Sequence, residues 1–171
     1  VTLELAYDST TPAYIPETAQ IVLPWLDGHY RWSLEELDRF KYAKRKYSLT
    51  CKGNPAAEIF DWEPGCCTTL EVVEGIRGRR KMGRSSVVYC DFASWAECLA
   101  ELQAAGLRDP PGYWLIAKYD LPSPNPHPLD VAPPAELPVL GHRLQAVGQQ
   151  FVGGARGTCD VSVIDLERWP L

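Results

Sequence analysis

The chain has 171 residues, 46 % of them apolar and 23 % charged, which is the size and composition of one folded globular domain spanning residues 1–171. Such a length buries about 70 % of the unfolded chain's surface, enough for a sizeable core. A formal net charge of −5 argues against a dedicated nucleic-acid binder, and no apolar run approaches the length of a membrane span.

The first extended segment covers residues 2–7 and is followed at once by Asp8, in the turn-like sequence Asp8-Ser9-Thr10-Thr11-Pro12. Further extended segments fall at about residues 20–26, 45–51, 57–63, 85–90, 113–119, 144–151 and 158–164. Helical patterns lie between some of them. Ser33 caps a short helix through Phe40, with Glu36 at the capping-box spacing. Thr68 or Thr69 starts a second helix that runs to about Lys81 and stops at Gly83. A third runs from Ser94 to Ala105, with Trp95, Cys98, Leu99 and Leu102 on one face and Gly106 at its end. Strands alternating with helices predict an α/β fold. Eight strands in so short a chain predict a compact TIM-like barrel with few helices.

The segment Ala57–Cys67 carries the most informative acids. Strand alternation puts Ile59, Asp61 and Glu63 on one face, and Phe60 and Trp62 on the other. Asp61 and Glu63 are then roughly 6.5–7 Å apart along the strand, just before a Pro64-Gly65 stop. Neighbouring carboxyl groups hold different protonation states, which acid/base chemistry needs.

The end of the chain adds a third acid. Six residues, Val-Gly-Gly-Ala-Arg-Gly, separate Phe151 from Thr158, too few for a parallel crossover. The last strand is therefore expected to run antiparallel to the one before it. Its start, with Asp160, then lies at the rim where parallel strands end. Asp8, Asp61, Glu63 and Asp160 are expected to share that rim, which in such barrels carries catalytic groups.

Other features point to less. Two basic clusters, Lys41–Lys46 and Arg77–Arg84, precede strands and read mainly as solvated surface. A proline-rich stretch over residues 120–141 reads as a rigid loop beside the rim, a docking strip for a protein partner, or a stiffened surface excursion. Six cysteines show no Cys-x-x-Cys spacing and the histidines (His29, His127, His142) are scattered, so no metal or other cofactor is expected. Spacing leaves open a disulfide from Cys51 to Cys66 or Cys67, and a Cys-dependent hydrolase has no local histidine to support it. The N-terminal stretch lacks a charged-then-apolar leader pattern, so a chain made in the cytoplasm, or a mature fragment, is expected.

In their order along the chain, Asp8, Asp61-Trp62-Glu63, Val87–Cys90, Tyr113–Tyr119 and Gly157–Val163 resemble family 25 glycoside hydrolases. These are lysozymes of the N-acetylmuramidase type, and the chain looks most like a short, divergent actinobacterial and actinophage branch. The resemblance implies a compact eight-stranded barrel whose last strand is antiparallel. It implies Glu63 as general acid, Asp61 as the group that orients the substrate's N-acetyl arm in a retaining, substrate-assisted route, and Asp8 and Asp160 as the rest of the acidic rim. Tyr7, Trp25, Tyr89, Trp114, Tyr119 and Phe151 become candidate walls for sugar rings, whereas Trp62 alternates away from the acids. The implied ligand is a cell-wall glycan, with neither nucleic acid nor membrane as partner, and the implied place of action is the wall or a phage particle. The chain departs from the family where Gly148-Gln149-Gln150-Phe151 replaces a Trp-Gln-Tyr type strand and where the early helices are cut down. A carbohydrate-binding or virion structural module without catalysis is the alternative expectation.

Overall fold

The computed structural model describes residues 3–107, 112–118, 136, 137, 140, 145–152 and 159–170. Their strands are β1 (Leu3–Asp8), β2 (Ile21–Val22), β3 (Arg45–Lys46), β4 (Leu49–Thr50), β5 (Ile59–Asp61), β6 (Val87–Asp91), β7 (Tyr113–Ala117), β8 (Gln145–Val152) and β9 (Asp160–Asp165). Between them lie helices α1 (Leu34–Arg39), α2 (Thr69–Lys81) and α3 (Trp95–Ala104), with single 3-10 turns at Pro12–Tyr14 and Gly28–Tyr30.

One sheet holds these nine strands in the order β3-β2-β1-β9-β8-β7-β6-β5-β4. β9 runs antiparallel to both β8 and β1, and the remaining neighbours pair in parallel. The sheet is mixed and curls into a half-barrel, so the expected eight-stranded TIM-like barrel does not form. The expectation fails at residues 45–51. That stretch forms two short strands, β3 paired with β2 and β4 paired with β5. Between them Ser48 gives its N–H to the Glu58 carboxylate at 2.7 Å. β2 is itself only two residues long, because Pro24 soon follows and has no N–H to give a ladder. Beyond β2 the chain meets β4 at one parallel bridge, Trp25 to Leu49.

Local signals set the helix starts. Ser33 and Glu36 form a reciprocal capping box at α1, and Thr68 and Glu71 form another at α2. Ser94 precedes α3 but makes no side-chain cap bond. Strand alternation then divides the core in two. Ala6, Ile59, Val87, Leu115, Val147 and Val163 point inside the curl, while Phe60, Val88, Trp114 and Ile116 meet Val72, Ile76, Cys98 and Leu102 of α2 and α3 on the other face. Gly75 lets α2 approach the sheet closely, since a Cβ there would lie 2.2 Å from the Phe60 ring and 2.6 Å from the Gly53 carbonyl.

The basic cluster 77–84 is not all solvated surface. Arg79 is buried and donates to the carbonyls of Ser85 at 2.6 Å and Ala57 at 2.7 Å. It ties the end of α2 to the strand entrances, because a buried guanidinium must spend its donors on protein acceptors.

Candidate active site

Asp8 closes β1, Asp160 opens β9, and the antiparallel register sets them opposite each other. Their side chains hydrogen-bond to one another. Carboxylates carry no hydrogen to donate, so this contact requires a shared proton. Burial, reinforced by the charges of Asp160, Asp61 and Glu63, raises the Asp8 pKa well above the carboxylate range.

Asp61 closes β5, and Glu63 follows two residues later, before the chain turns at Gly65 with φ +93°. Asp61 is 5 % exposed, and its Oδ1 is buried without a hydrogen-bond partner. Burial, then the nearby Glu63 and Asp160, push its pKa up to about 7, against the pull of a hydrogen bond with the Cys66 thiol. Glu63 is half-buried. Its pKa is raised by burial first, with the charges of Asp91 and Asp160 adding to it, while a hydrogen bond with the Tyr89 side chain works the other way. Near neutral pH the four acids therefore cannot all be ionised together.

These groups meet in a cleft of about 200 Å³ lined by Asp8, Asp61, Glu63 and Asp160 together with Thr10, Trp25, Tyr30, Leu49, Cys66, Tyr89, Leu115 and Gln150. The Trp25 and Tyr30 rings pack 5.3 Å apart at a tilt and form an aromatic wall. A second cavity of about 460 Å³ shares Glu63 and Pro64 and continues past Trp62, Cys67, Thr68, Thr69, Ser94 and Glu97. The acids thus lie in one opening, with more room on the far side of Pro64.

Of the aromatic residues singled out in the sequence, Trp25 and Tyr89 line the cleft. Tyr7 alternates away from Asp8 on β1 and packs, half-buried, against apolar neighbours. Trp114 is not a sugar wall. It is 0 % exposed between the sheet and helices α2 and α3, because its strand parity is opposite to that of Leu115 in the cleft. Phe151 is buried in the inner core and is not among the residues lining the cleft. Tyr119 and most of the proline-rich stretch 120–141 lie outside the described residues.

Four contributors went unread in the sequence. Asp91 ends β6 as Asp8 ends β1, so the same acid-after-strand signal was present. Gln150 reaches the cleft at a register irregularity in β8, which period-two reading cannot foresee. Tyr30 arrives on a 3-10 turn, and Cys66 through its contact with Asp61. All six cysteines are free thiols, and the Cys51 and Cys66 side chains hydrogen-bond to each other. Among the described residues no group of three or more His, Cys, Asp or Glu is arranged to hold a metal ion, and no helix is long and apolar enough to cross a membrane.

No family model and no curated protein matches the chain. A solved structure of an uncharacterized B. stearothermophilus protein does match, with a TM-score of 0.58 over 95 % of this chain and 96 % of that one, at 10 % identity. The likeness is one of fold. At that identity it carries no residue roles.

Proposed function

We propose that this chain is a glycoside hydrolase of the bacterial cell-wall glycan, cutting the bond between N-acetylmuramic acid and N-acetylglucosamine with retention. One observation carries the reading: carboxyl groups from β1, β9 and the end of β5 share a cleft with an aromatic wall, and burial holds their proton affinities high. Aromatic faces and multiple carboxyl groups are what sugar rings bind to and what glycosidic bonds need for cleavage.

In this reading protonated Glu63 gives its hydrogen to the leaving oxygen as the glycosidic bond breaks. The substrate's own acetamido oxygen closes on the anomeric carbon, and a carboxyl oxygen of Asp61 accepts a hydrogen bond from the acetamido N–H. Glu63, now a carboxylate, takes a proton from the water that opens the cyclic intermediate, which returns the enzyme to its starting state. Two successive inversions at one carbon give net retention. Asp91 and Asp160 hold negative charge close by, which with burial keeps Glu63 protonated between turnovers. A protein of this kind would act at the wall or from a phage particle.

A second reading is a carbohydrate-binding or virion structural module that uses the cleft without catalysis. It is favoured by the Asp8–Asp160 pair, whose carboxyl groups are committed to each other and leave little for a reacting bond. Turbidity clearance of several actinobacterial cell walls separates the two. Clearance by the wild type, lost in a well-folded Glu63→Gln, supports hydrolysis. A well-folded wild type that pulls down with walls and clears none of them overturns it.

A further inference from the structure

Tyr89 and Gln150 stand beside the acids without a part in the scheme above. Tyr89 comes from β6 and is buried; its hydroxyl hydrogen-bonds with the Gln150 side chain of β8, two strands away. It also hydrogen-bonds with the Glu63 side chain. All three residues line the cleft. Gln150 is itself buried, at the point where the β8–β9 register shifts, and a bulge of this kind re-aims a side chain.

A phenol has one hydrogen to give and lone pairs to receive, whereas a primary amide end has both donors and an acceptor. The three groups can therefore be satisfied in two ways. With Glu63 protonated, its hydroxyl donates to the Tyr89 oxygen and Tyr89 donates to Gln150 Oε1. With Glu63 ionised, Gln150 turns its amide, Nε2–H donates to the Tyr89 oxygen, and Tyr89 donates to the carboxylate. No member is left without a partner in either state. Apolar residues at 89 or 150 would satisfy neither.

We propose that Gln150 and Tyr89 form a reversible hydrogen-bond chain that holds Glu63 in place in both of its protonation states, and that they are positioning residues for its proton transfers. The inference rests on the reading of Glu63 as the acid that gives and then takes back a proton. It goes further by assigning the means by which a half-buried carboxyl group changes state without stranding a buried partner. Other acids face the same carboxyl: the charges of Asp91 on β6 and Asp160 on β9 raise its pKa, and its own charge raises those of Asp61 on β5 and Asp8 on β1. All are acidic, so Tyr89 supplies a donor amid like charge.

The test is a carbon-detected NMR titration of the Glu63 carboxyl in wild type, Tyr89→Phe and Gln150→Leu, run beside the pH profile of wall clearance. Phe at 89 removes the donor to the carboxylate, so the Glu63 midpoint is expected to rise by about one pH unit. Leu at 150 removes the acceptor of the Tyr89 hydrogen in the protonated state, which costs more than the donor lost in the ionised state, so a smaller shift downward is expected, together with a downward shift of the alkaline limb of activity. A residue at 150 that only packs would leave the midpoint alone. Unchanged midpoints in both variants overturn the inference, even if walls are still cleared. Shifted midpoints in a protein that clears no wall keep the chain and discard the hydrolase. Should Tyr89→Phe not fold, the Gln150→Leu titration decides alone.

Discussion

The two carboxyl pairs of the cleft are built differently. Asp8 and Asp160 face each other across an antiparallel ladder, where the backbone sets their approach and a shared proton joins them. Asp61 and Glu63 follow one another along a single chain, one buried with an unpartnered oxygen and the other half-exposed beside Tyr89. The ladder pair is closed on itself, so it stores charge and a proton but has little to offer a ligand. The chain pair is open: Glu63 can reach a bound oxygen, and Asp61 has an acceptor site to spare. Proximity of acids alone does not make a catalytic pair; what matters is which lone pairs and hydrogens the protein leaves uncommitted.

The contrast can be broken most sharply at Glu63. Glu63→Gln, which keeps shape but cannot cycle a proton, is expected to cut wall clearance by about 10²- to 10⁴-fold while the melting temperature stays close to wild type. Asp8→Asn is expected to lose far less activity, because the amide can donate to Asp160 much as the shared proton does. Equal losses in the two variants, measured on the same walls, would erase the distinction between the pairs.

Stability against pH gives the next effect. Asp61 has a pKa of about 7 in the folded chain against an ordinary 3.8, so the folded state keeps a proton that the unfolded state has already lost. Its contribution is therefore favourable below about pH 4 and is lost as pH rises towards 7, on the order of 2–4 kcal/mol if the pair acts as one site. Urea unfolding of Asp61→Asn from pH 4 to pH 8 should show a flatter profile than wild type, with the variant the more stable at pH 8. A variant profile parallel to that of wild type would remove Asp61 as the source.

The smallest effect belongs to the ladder pair. Asp8 also has a raised pKa, so wild type loses stability at alkaline pH as the shared proton leaves. Asp8→Asn should match wild type at pH 5 and exceed it at pH 9, by about 1–3 kcal/mol. If Asp8→Asn is instead weaker at every pH, Asp8 serves as a backbone cap and the shared proton is not what joins the strands.

Much of the site was legible because it depends on short-range geometry. Alternation along β5 separates Asp61 from Phe60 wherever the strand lies in the sheet, and Trp62 and Glu63 lie just past its end. The connection from Phe151 to Thr158 is too short for a crossover, and β9 does run antiparallel to β8. The capping box at Ser33 and Glu36 is written within four residues. The closed barrel was not legible, because counting extended segments cannot tell whether 45–51 stays whole. Ser48 is drawn to a carboxylate ten residues away, and β3 and β4 take different partners. Trp114 looked like a ligand wall for a related reason. Its parity was readable, but the burial of its face depends on α2 and α3 packing there.

By itself, then, the sequence determined strand parity, the final hairpin and the helix starts, all set by bonds and sterics among near neighbours. Only the tertiary structure decided that Asp8 stands against Asp160, that Tyr89 and Gln150 meet beside Glu63, and that the sheet remains an open curl. Those depend on register and on competition for hydrogen bonds between residues far apart in the chain, which local preference cannot rank.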